Sequence, residues 1–403
     1  MLYFTKTKEQ CTGCSACFAT CPTQCITMEK DEKGFLYPKA DGSKCIHCGK
    51  CEQVCPIFHV NRNQQNISKQ CAVAAVSKEY EVWKDSSSGG AFTEICKAFI
   101  GDENGIVFGA EFQFPKVKHI GVPIQEIGRL RRSKYVQSEV GSSFGNVKIA
   151  LEQKMKVVFV GTPCQVAGLR AYLNKDYVNL ICVDFICHGV GSPDVFNKCM
   201  QYEEKKEKSS VIDYKFRNKT SLLGNYQRHV SMLTYQDGHS RTIEMDAYNK
   251  FFLGQLCLRD CCGEQCKFRV RERNGDITIA DFNNKERLLP EINDNRAFSS
   301  IIFNTEKGLS IQKSLENRMN MWPVSMTAIM QYNPLFCRST PSNPKRIDFF
   351  ADYCSGVPIE TLLEKYAPLQ KNSLSYLKRF IPWHVKHEAY RMLIRIRKGN
   401  DAK

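Results

Sequence analysis

The chain has no apolar run long enough to cross a membrane; its longest runs, such as Lys156-Val-Val-Phe-Val-Gly161, are the size of a strand. It also lacks low-complexity tracts, repeats beyond one cysteine pattern, and any apolar stretch of leader length ahead of Cys11. Neither a disordered or fibrous class nor a secretory leader is therefore expected. Acidic residues are the scarcer charge, 42 against 57 Lys and Arg, for a net charge of +15. That surplus alone would admit a nucleic-acid partner, but no binding motif accompanies it, and nucleic acid is excluded. What remains is 403 residues of globular composition, 42% hydrophobic and 25% charged, enough for two or three domains.

Cysteine is abundant. Twenty-one are far too many for an ordinary cytoplasmic enzyme unless many bind metal. Eight fall into two copies of C-x2-C-x2-C-x3-C-P: Cys11, Cys14, Cys17 and Cys21 before Pro22, then Cys45, Cys48, Cys51 and Cys55 before Pro56. This is the spacing of bacterial two-cluster ferredoxins, in which three close thiolates wrap one cubane and the fourth ligates the other. The spacing assigns Cys11, Cys14, Cys17 and Cys55 to one 4Fe-4S cluster, and Cys45, Cys48, Cys51 and Cys21 to a second. Zinc or disulfides would not call for two interlocked sets of four. Cys25 is surplus to the pattern and reads as a small core side chain. A reducing cytoplasm is the expected compartment, since oxidising conditions would destroy such clusters.

Residues 1–60 form this two-cluster module, and 61–70 read as a polar linker. From 71 to 204 strands and helices alternate: a buried strand at Cys71–Val76, Ser86-Ser-Ser-Gly-Gly90 opening a helix, strands at 105–109, 157–160 and 180–185, and helices between them. This predicts an α/β layer. Residues 205–339 are richer in strands and read as α+β, beginning after the charged run Glu203–Lys208. Residues 340–403 form a helical, basic tail, with a charge of +7 over 361–403 against +1 over 1–60. Val385, Ala389, Met392 and Ile396 share one helical stripe there, with Arg391, Arg395 and Lys398 mostly off it. The stripe suits docking on the protein itself; a membrane surface, which Trp383 favours, or a partner are the alternatives.

Six features beyond residue 60 carry chemistry. Cys164 follows one strand at a Gly-Thr-Pro turn, and Cys187 with His188 follows the next, so both leave the same sheet edge, where α/β proteins build sites. Cys257, Cys261, Cys262 and Cys266 come later. These segments supply enough thiolates for a third cubane, although scattered single cysteines are commonly core residues. Ser86–Gly90 at a helix start suits phosphate or simple capping. Arg132 and Lys134 form a basic loop, and Asp276 and Asp281 flank an alternating strand.

Together Ser86-Ser-Ser-Gly-Gly-Ala-Phe92, Ser133-Lys-Tyr-Val-Gln-Ser138, Gly161-Thr-Pro-Cys-Gln-Val-Ala-Gly-Leu169, Cys187-His-Gly189 and Asp276-Ile-Thr-Ile-Ala-Asp-Phe282 resemble the beta subunits of the coenzyme F420 hydrogenase/dehydrogenase family. The resemblance implies a mixed α+β and α/β multidomain protein: a ferredoxin-like module, an α/β layered flavin domain at 71–204, a strand-rich α+β domain and the basic tail. It implies FAD or FMN beside a third 4Fe-4S cluster held by Cys164, Cys187, Cys262 and Cys266. Here the chain departs from the family pattern: Cys262 and Cys266 are spaced C-x3-C rather than C-x2-C, and Cys261 competes with Cys262. Asp281-Phe-Asn-Asn284 also replaces the usual Asp-Phe-Trp-Gly. Ser86, Ser87, Ser88, Gly89 and Gly90 then face the flavin phosphate, Arg132 and Lys134 neutralise phosphate or the reduced ring, and Asp276 and Asp281 bind a ribityl chain or merely end the strand. His188 donates protons or orients a ligand.

The expected function is an iron–sulfur flavoprotein oxidoreductase linking a ferredoxin-type carrier to an organic substrate. The alternative is the electron-transfer component of a hydrogenase or dehydrogenase complex that reduces coenzyme F420.

Overall fold

In the computed structural model, residues 8–58, 70–219, 221–222, 225–226, 230–264, 266–339, 342–367 and 381–400 are described. The expected linker at 61–69 lies outside them. Gln70, drawn into that linker, is instead buried and anchored: its side-chain amide donates to the Arg271 carbonyl at 2.9 Å and to Asn304 Oδ1 at 2.8 Å.

Two short strands, β1 (Ile26–Lys30) and β2 (Leu36–Ala40), pair antiparallel inside the cysteine-rich module. The next six are β3 (Cys71–Ser77), β4 (Gly105–Gln113), β5 (Lys116–Pro123), β6 (Ser138–Glu139), β7 (Lys156–Val160) and β8 (Leu180–Phe185). Strands β9 (Val211–Lys215), β12 (Val230–Tyr235) and β13 (Ser240–Glu244) make a separate three-stranded sheet, and β10 (Ser221–Leu222) pairs with β11 (Asn225–Tyr226). The last three, β14 (Ile277–Asp281), β15 (Ser299–Phe303) and β16 (Met319–Val324), return to the first body. They complete a nine-stranded mixed sheet in the order β16-β3-β15-β14-β8-β7-β4-β5-β6. The boundary expected at 204/205 therefore does not divide this sheet: β14 runs parallel to β8, pairing Ile277 with Val183. The charged run Glu203–Lys208 is mostly the end of the helix Pro193–Glu207, not a break between units.

The central strands read as continuous apolar runs because both faces are covered. Val158, Ile181 and Val183 pack with Ile95 and Ile100 of the helix Ala91–Ile100. Val157, Phe159 and Cys182 face the opposite way, onto Phe144 and Leu169 of two further helices. Cys14 and Ala16 of the cysteine-rich module belong to this second core, so the module is docked on the sheet. A third core gathers Phe35 and Tyr37 from the β1–β2 hairpin, Phe196, Tyr214 and Phe251, and Phe349 and Phe350 of the helix Arg346–Cys354. The expected tail thus begins as part of a core. Only the helix Trp383–Asn400 stands off, meeting the body through Trp383, which donates to Glu286 at 3.4 Å, and buried His387. Among the described residues no helix is long and apolar enough to cross a membrane.

Candidate functional site

Parallel strands give the sheet one carboxyl edge, and Cys164, Cys187, His188 and Asp281 leave from it. β7 ends at Val160 and turns through Gly161-Thr162 into the helix Pro163–Leu173. The Thr162 hydroxyl accepts from Gln165 N while the Gln165 side chain accepts from Thr162 N, a capping box with Pro163 at the first helical position. This fixes Cys164 in the first turn, where the helix dipole favours a thiolate. β8 ends at Phe185 and delivers Cys187 and His188. Gly191 then bridges Val136 on one side and Leu258 on the other, and Arg259 N donates to the Val190 carbonyl at 2.8 Å. That crossing brings in Cys261 and Cys262.

The result is a cavity of about 270 Å³ lined by Cys164, Cys187, Cys261, Cys262 and Cys266. Val190 N donates to Cys262 Sγ at 3.4 Å. The thiols press on one another: burial pushes Cys187 up to about 12, with Cys262 and Cys266 adding to it. Burial likewise drives Cys164 up, with Cys187, Cys262 and Cys14 contributing. Cys262 goes the other way, to about 7, chiefly through its hydrogen bond with Cys261. Buried thiols crowded in this way bind metal by releasing protons, and a cationic cluster relieves their mutual repulsion, so the donor set fits an iron–sulfur group. Among the described residues no three such side chains close on a single ion; a cubane's thiolates stand around a four-iron body instead.

The module's eight cysteines separate by depth. Cys11 and Cys14 are buried, Cys48 is exposed, and the rest lie between. Cys17 is driven up by burial and then by Cys14, Cys11 and Cys55, which places these four together. Cys21, Cys45 and Cys51 gather around buried Cys25 and Ile26, and Cys17 reaches the same cluster from the inner side. Cys25 is a core side chain, yet its sulfur also lies 3.4 Å from Cys21 Sγ. The inner four thiols sit against the cavity: Gln10, Thr12 and Ile57 line it, and Cys55 packs with Cys164 and Cys266. Gly168 permits the approach, since a Cβ there would stand 2.9 Å from Cys14 Sγ.

Ser86–Gly90 leads into the helix that begins at Ala91, and its polar groups have internal partners. Ser86 donates to the Val82 carbonyl at 2.6 Å and Ser88 to that of Phe298 at 2.6 Å. Ser133 N donates to Ser87 Oγ at 2.8 Å, and Gly89 N to Ser299 Oγ at 2.9 Å. Gly90 takes a positive φ of 92° as the helix N-cap. Arg132 pairs with Asp85. Lys134 turns its ammonium to the Leu130 and Arg131 carbonyls, at 2.8 and 2.5 Å.

The two aspartates part company. Asp281 stands at the carboxyl edge and pairs with Arg217 at 2.9 Å. Asp276 lies at the opposite end, buried, paired with Arg170 at 2.9 Å and accepting from Cys182 N at 2.8 Å. Asp276 precedes β14 and Asp281 ends it, so one strand length separates the two.

His188 is half-buried; desolvation lowers its pKa, and its Nε2–H donates to the Phe252 carbonyl at 3.3 Å. Phe252 stacks on Tyr135 at 4.8 Å. A chain of contacts thus runs from Ser87 through Ser133 and Tyr135 to His188 and Cys187.

Sequence reasoning missed Arg217 and Lys219. Lys219 donates to the Trp83 and Ser88 carbonyls, and burial together with Arg217 lowers it to about 7. The signal was present: Lys215, Arg217 and Lys219 alternate along an extended run, which places them on one face.

Residues 10–58 match the family model of the 4Fe-4S dicluster domain, and residues 154–326 match that of the C terminus of the coenzyme F420 hydrogenase/dehydrogenase beta subunit. The F subunit of the F(420)H(2) dehydrogenase from Methanosarcina mazei is 25% identical over 200 residues, covering 45% of this chain and 56% of that protein. The I subunit of the NADH-quinone oxidoreductase from Pelobacter propionicus is 37% identical over 57 residues, 12% of this chain and 31% of that one. The chain thus spans little more than half of the first relative and about a third of the second. A chain of the F420-reducing [NiFe] hydrogenase complex from Methanosarcina barkeri aligns in structure with a TM-score of 0.40 at 14% identity, over 75% of this chain and 92% of that one.

Proposed function

We propose, for an iron–sulfur electron-transfer chain related to the coenzyme F420 hydrogenase/dehydrogenase beta subunits, that it is a ferredoxin-linked, flavin-dependent oxidoreductase acting on an organic substrate at the carboxyl edge of its large sheet. One observation carries the reading: a cavity lined by five cysteines shares its wall with the dicluster module, through Gln10, Thr12 and Ile57, and Cys55 packs with Cys164 and Cys266 beside it. Cys11, Cys14, Cys17 and Cys55 hold one cluster, and Cys21, Cys45, Cys48 and Cys51 another. Cys164, Cys187, Cys262 and Cys266 hold a third, with Cys262 preferred to Cys261 because Val190 N–H already points at its sulfur. Ser86–Gly90, Arg132 and Asp281 bound the place of FAD or FMN.

When bound, the clusters supply one-electron carriage and the flavin exchanges single electrons for a hydride equivalent. The protein's own contribution is access, exclusion and orientation. Exposed Cys48 opens the outer thiols to an external carrier, whereas Cys11 and Cys14 are shut off from water. His188 commits its Nε2–H to the Phe252 carbonyl, so any proton it handles sits on Nδ1. The helix Trp383–Asn400 presents exposed Val385, Met392 and Leu393 beside basic residues, which suits the surface of an anionic membrane. Flotation with anionic but not neutral vesicles is the expected result, and loss of flotation after truncation at residue 380 checks it.

The first experiment is cofactor content of anaerobically purified protein. About twelve irons and one flavin per chain are expected; about eight irons without flavin would leave only the dicluster module standing. The second reading, a complex component that reduces coenzyme F420, is favoured by the match at residues 154–326. Reduction of coenzyme F420 by the purified chain with a reduced ferredoxin separates the two.

A further inference from the structure

Arg259 is 1% exposed, yet it carries a charge between two sets of thiols. Its guanidinium lies 3.8 Å from the centre of the Tyr37 ring and 5.7 Å from that of Phe35, so the β1–β2 hairpin forms its floor. Nε–H donates to the Cys11 carbonyl at 2.7 Å and Nη1 to that of Leu36 at 3.0 Å; Nη2 is buried and has no hydrogen-bond partner among the described residues. Gly13 makes the space: at φ +67° its Cα faces the fork, and a Cβ would stand 3.0 Å from Arg259 Cζ.

Among the described residues Arg259 pairs with no carboxylate. The neighbouring acid, Asp260, is committed to Arg346 at 2.5 Å and Lys33 at 3.3 Å. Burial opposes the charge on Arg259, but Cys11, Tyr37, Cys261 and Cys262 outweigh it. An unpaired buried cation is expensive unless something anionic stands beside it, and the groups beside this one are the proposed cluster ligands Cys11 and Cys262. Cys11 belongs to the inner set of the module; Cys262 belongs to the cavity.

We infer that Arg259 is a shared counter-cation that raises the reduction potentials of the two inner cluster sites above that of the outer one. This rests on the ligand sets proposed above. Accepting one electron makes a thiolate-bound cluster more negative by one charge, and a fixed cation in a dry interior stabilises that state. At the outer set, by contrast, exposed Cys48 leaves charge open to water and salt. Each electron given up by a reduced external carrier, which is oxidised by one electron, is therefore drawn inward. Arg259 touches no substrate; it is a positioning residue for charge.

The test is a redox titration of the anaerobically purified full chain, followed by electron paramagnetic resonance, on wild type, Arg259→Gln and Arg259→Lys. Glutamine keeps a donor and loses the charge. It is expected to shift the one-electron equilibrium between inner and outer sites at least tenfold, about 59 mV, with the inner potentials falling and the outer one unmoved. Lysine is expected to recover more than half of that shift. Inner potentials unmoved in Arg259→Gln at full iron content would overturn the inference, as would an equal fall at all three sites or a lysine variant as low as glutamine. Should the glutamine variant lose iron, Gly13→Ala keeps the charge and displaces the guanidinium; a narrowed gap between inner and outer potentials supports the inference, and an unchanged gap overturns it. A wild-type chain with about eight irons would instead refute the third ligand set, and the fall in Arg259→Gln would then be required at the inner module site alone.

Discussion

The outer thiols of the dicluster module and the thiols of the cavity pose the same four-cysteine problem at two ranges. Cys45, Cys48 and Cys51 lie within seven consecutive residues, on the surface, with Cys21 brought alongside around Cys25 and Ile26. Cys164, Cys187, Cys262 and Cys266 come from three segments that meet only because β7 and β8 run parallel and Gly191 pairs on both sides. The first site is a local property of its sequence. The second is a property of the sheet, and its loss and the loss of the fold are coupled.

The largest effect that sharpens this contrast is on cofactor content. Cys48→Ser and Cys187→Ser are each expected to remove about four irons. Because metal-binding energy is folding energy where the site is assembled by the fold, only Cys187→Ser should also lower the denaturation midpoint of the α/β body. Equal shifts in urea titrations of the two variants would erase the distinction.

Next in size is Asp184→Ala. Asp184 is fully buried on β8, accepts from the Thr278 hydroxyl at 2.6 Å, and faces Arg273, a cavity-lining residue, at 3.5 Å. Removing one partner of a buried pair costs about 3–5 kcal/mol. The variant should lose cavity iron while keeping the outer cluster, and iron analysis beside circular dichroism checks both; simultaneous loss of all iron would make the two sites one cooperative unit.

The smallest effect concerns pH. His119 stacks on Phe159 at 5.6 Å, and its Nε2–H donates to the Val160 carbonyl at 3.2 Å, just ahead of the Cys164 turn. Burial lowers its pKa from 6.5 to about 4. The unfolded chain binds the extra proton between those values, so stability is full above 6.5 and falls as the pH drops toward 4. Between pH 7.5 and 5.5 wild type should lose about 1.4 kcal/mol that His119→Gln does not. Parallel slopes for the two proteins in denaturant titrations would rule this out.

How much of this was legible follows the same division of range. The doubled cysteine pattern marked the dicluster module, matched at residues 10–58, because spacing along the chain fixes it. The strands at 71–76, 157–160 and 180–185 were legible as apolar runs. That β14 joins β8 was not: nothing local in Ile277–Asp281 says which neighbour it takes, and the insertion of β9–β13 hides the return. Lys134 reads as a phosphate ligand from its charge alone, whereas its geometry ties it to two backbone carbonyls. Arg259 gave no signal at all, since its partners, Cys11 and Tyr37, are more than two hundred positions away.

The place of β3 in the sheet has a consequence for synthesis. It pairs with β15 on one side and β16 on the other, so after Cys71–Ser77 emerges one edge stays open until residue 303 has been made and the other until residue 324. An apolar strand with two bare edges is a template for wrong pairing. The dicluster module, complete by Pro56, has its ligands ready long before the wall it docks on exists. Iron delivered during translation would therefore reach Cys21, Cys45, Cys48 and Cys51 first and the cavity last. A nascent chain arrested before residue 299 would lack β15 and β16 alike.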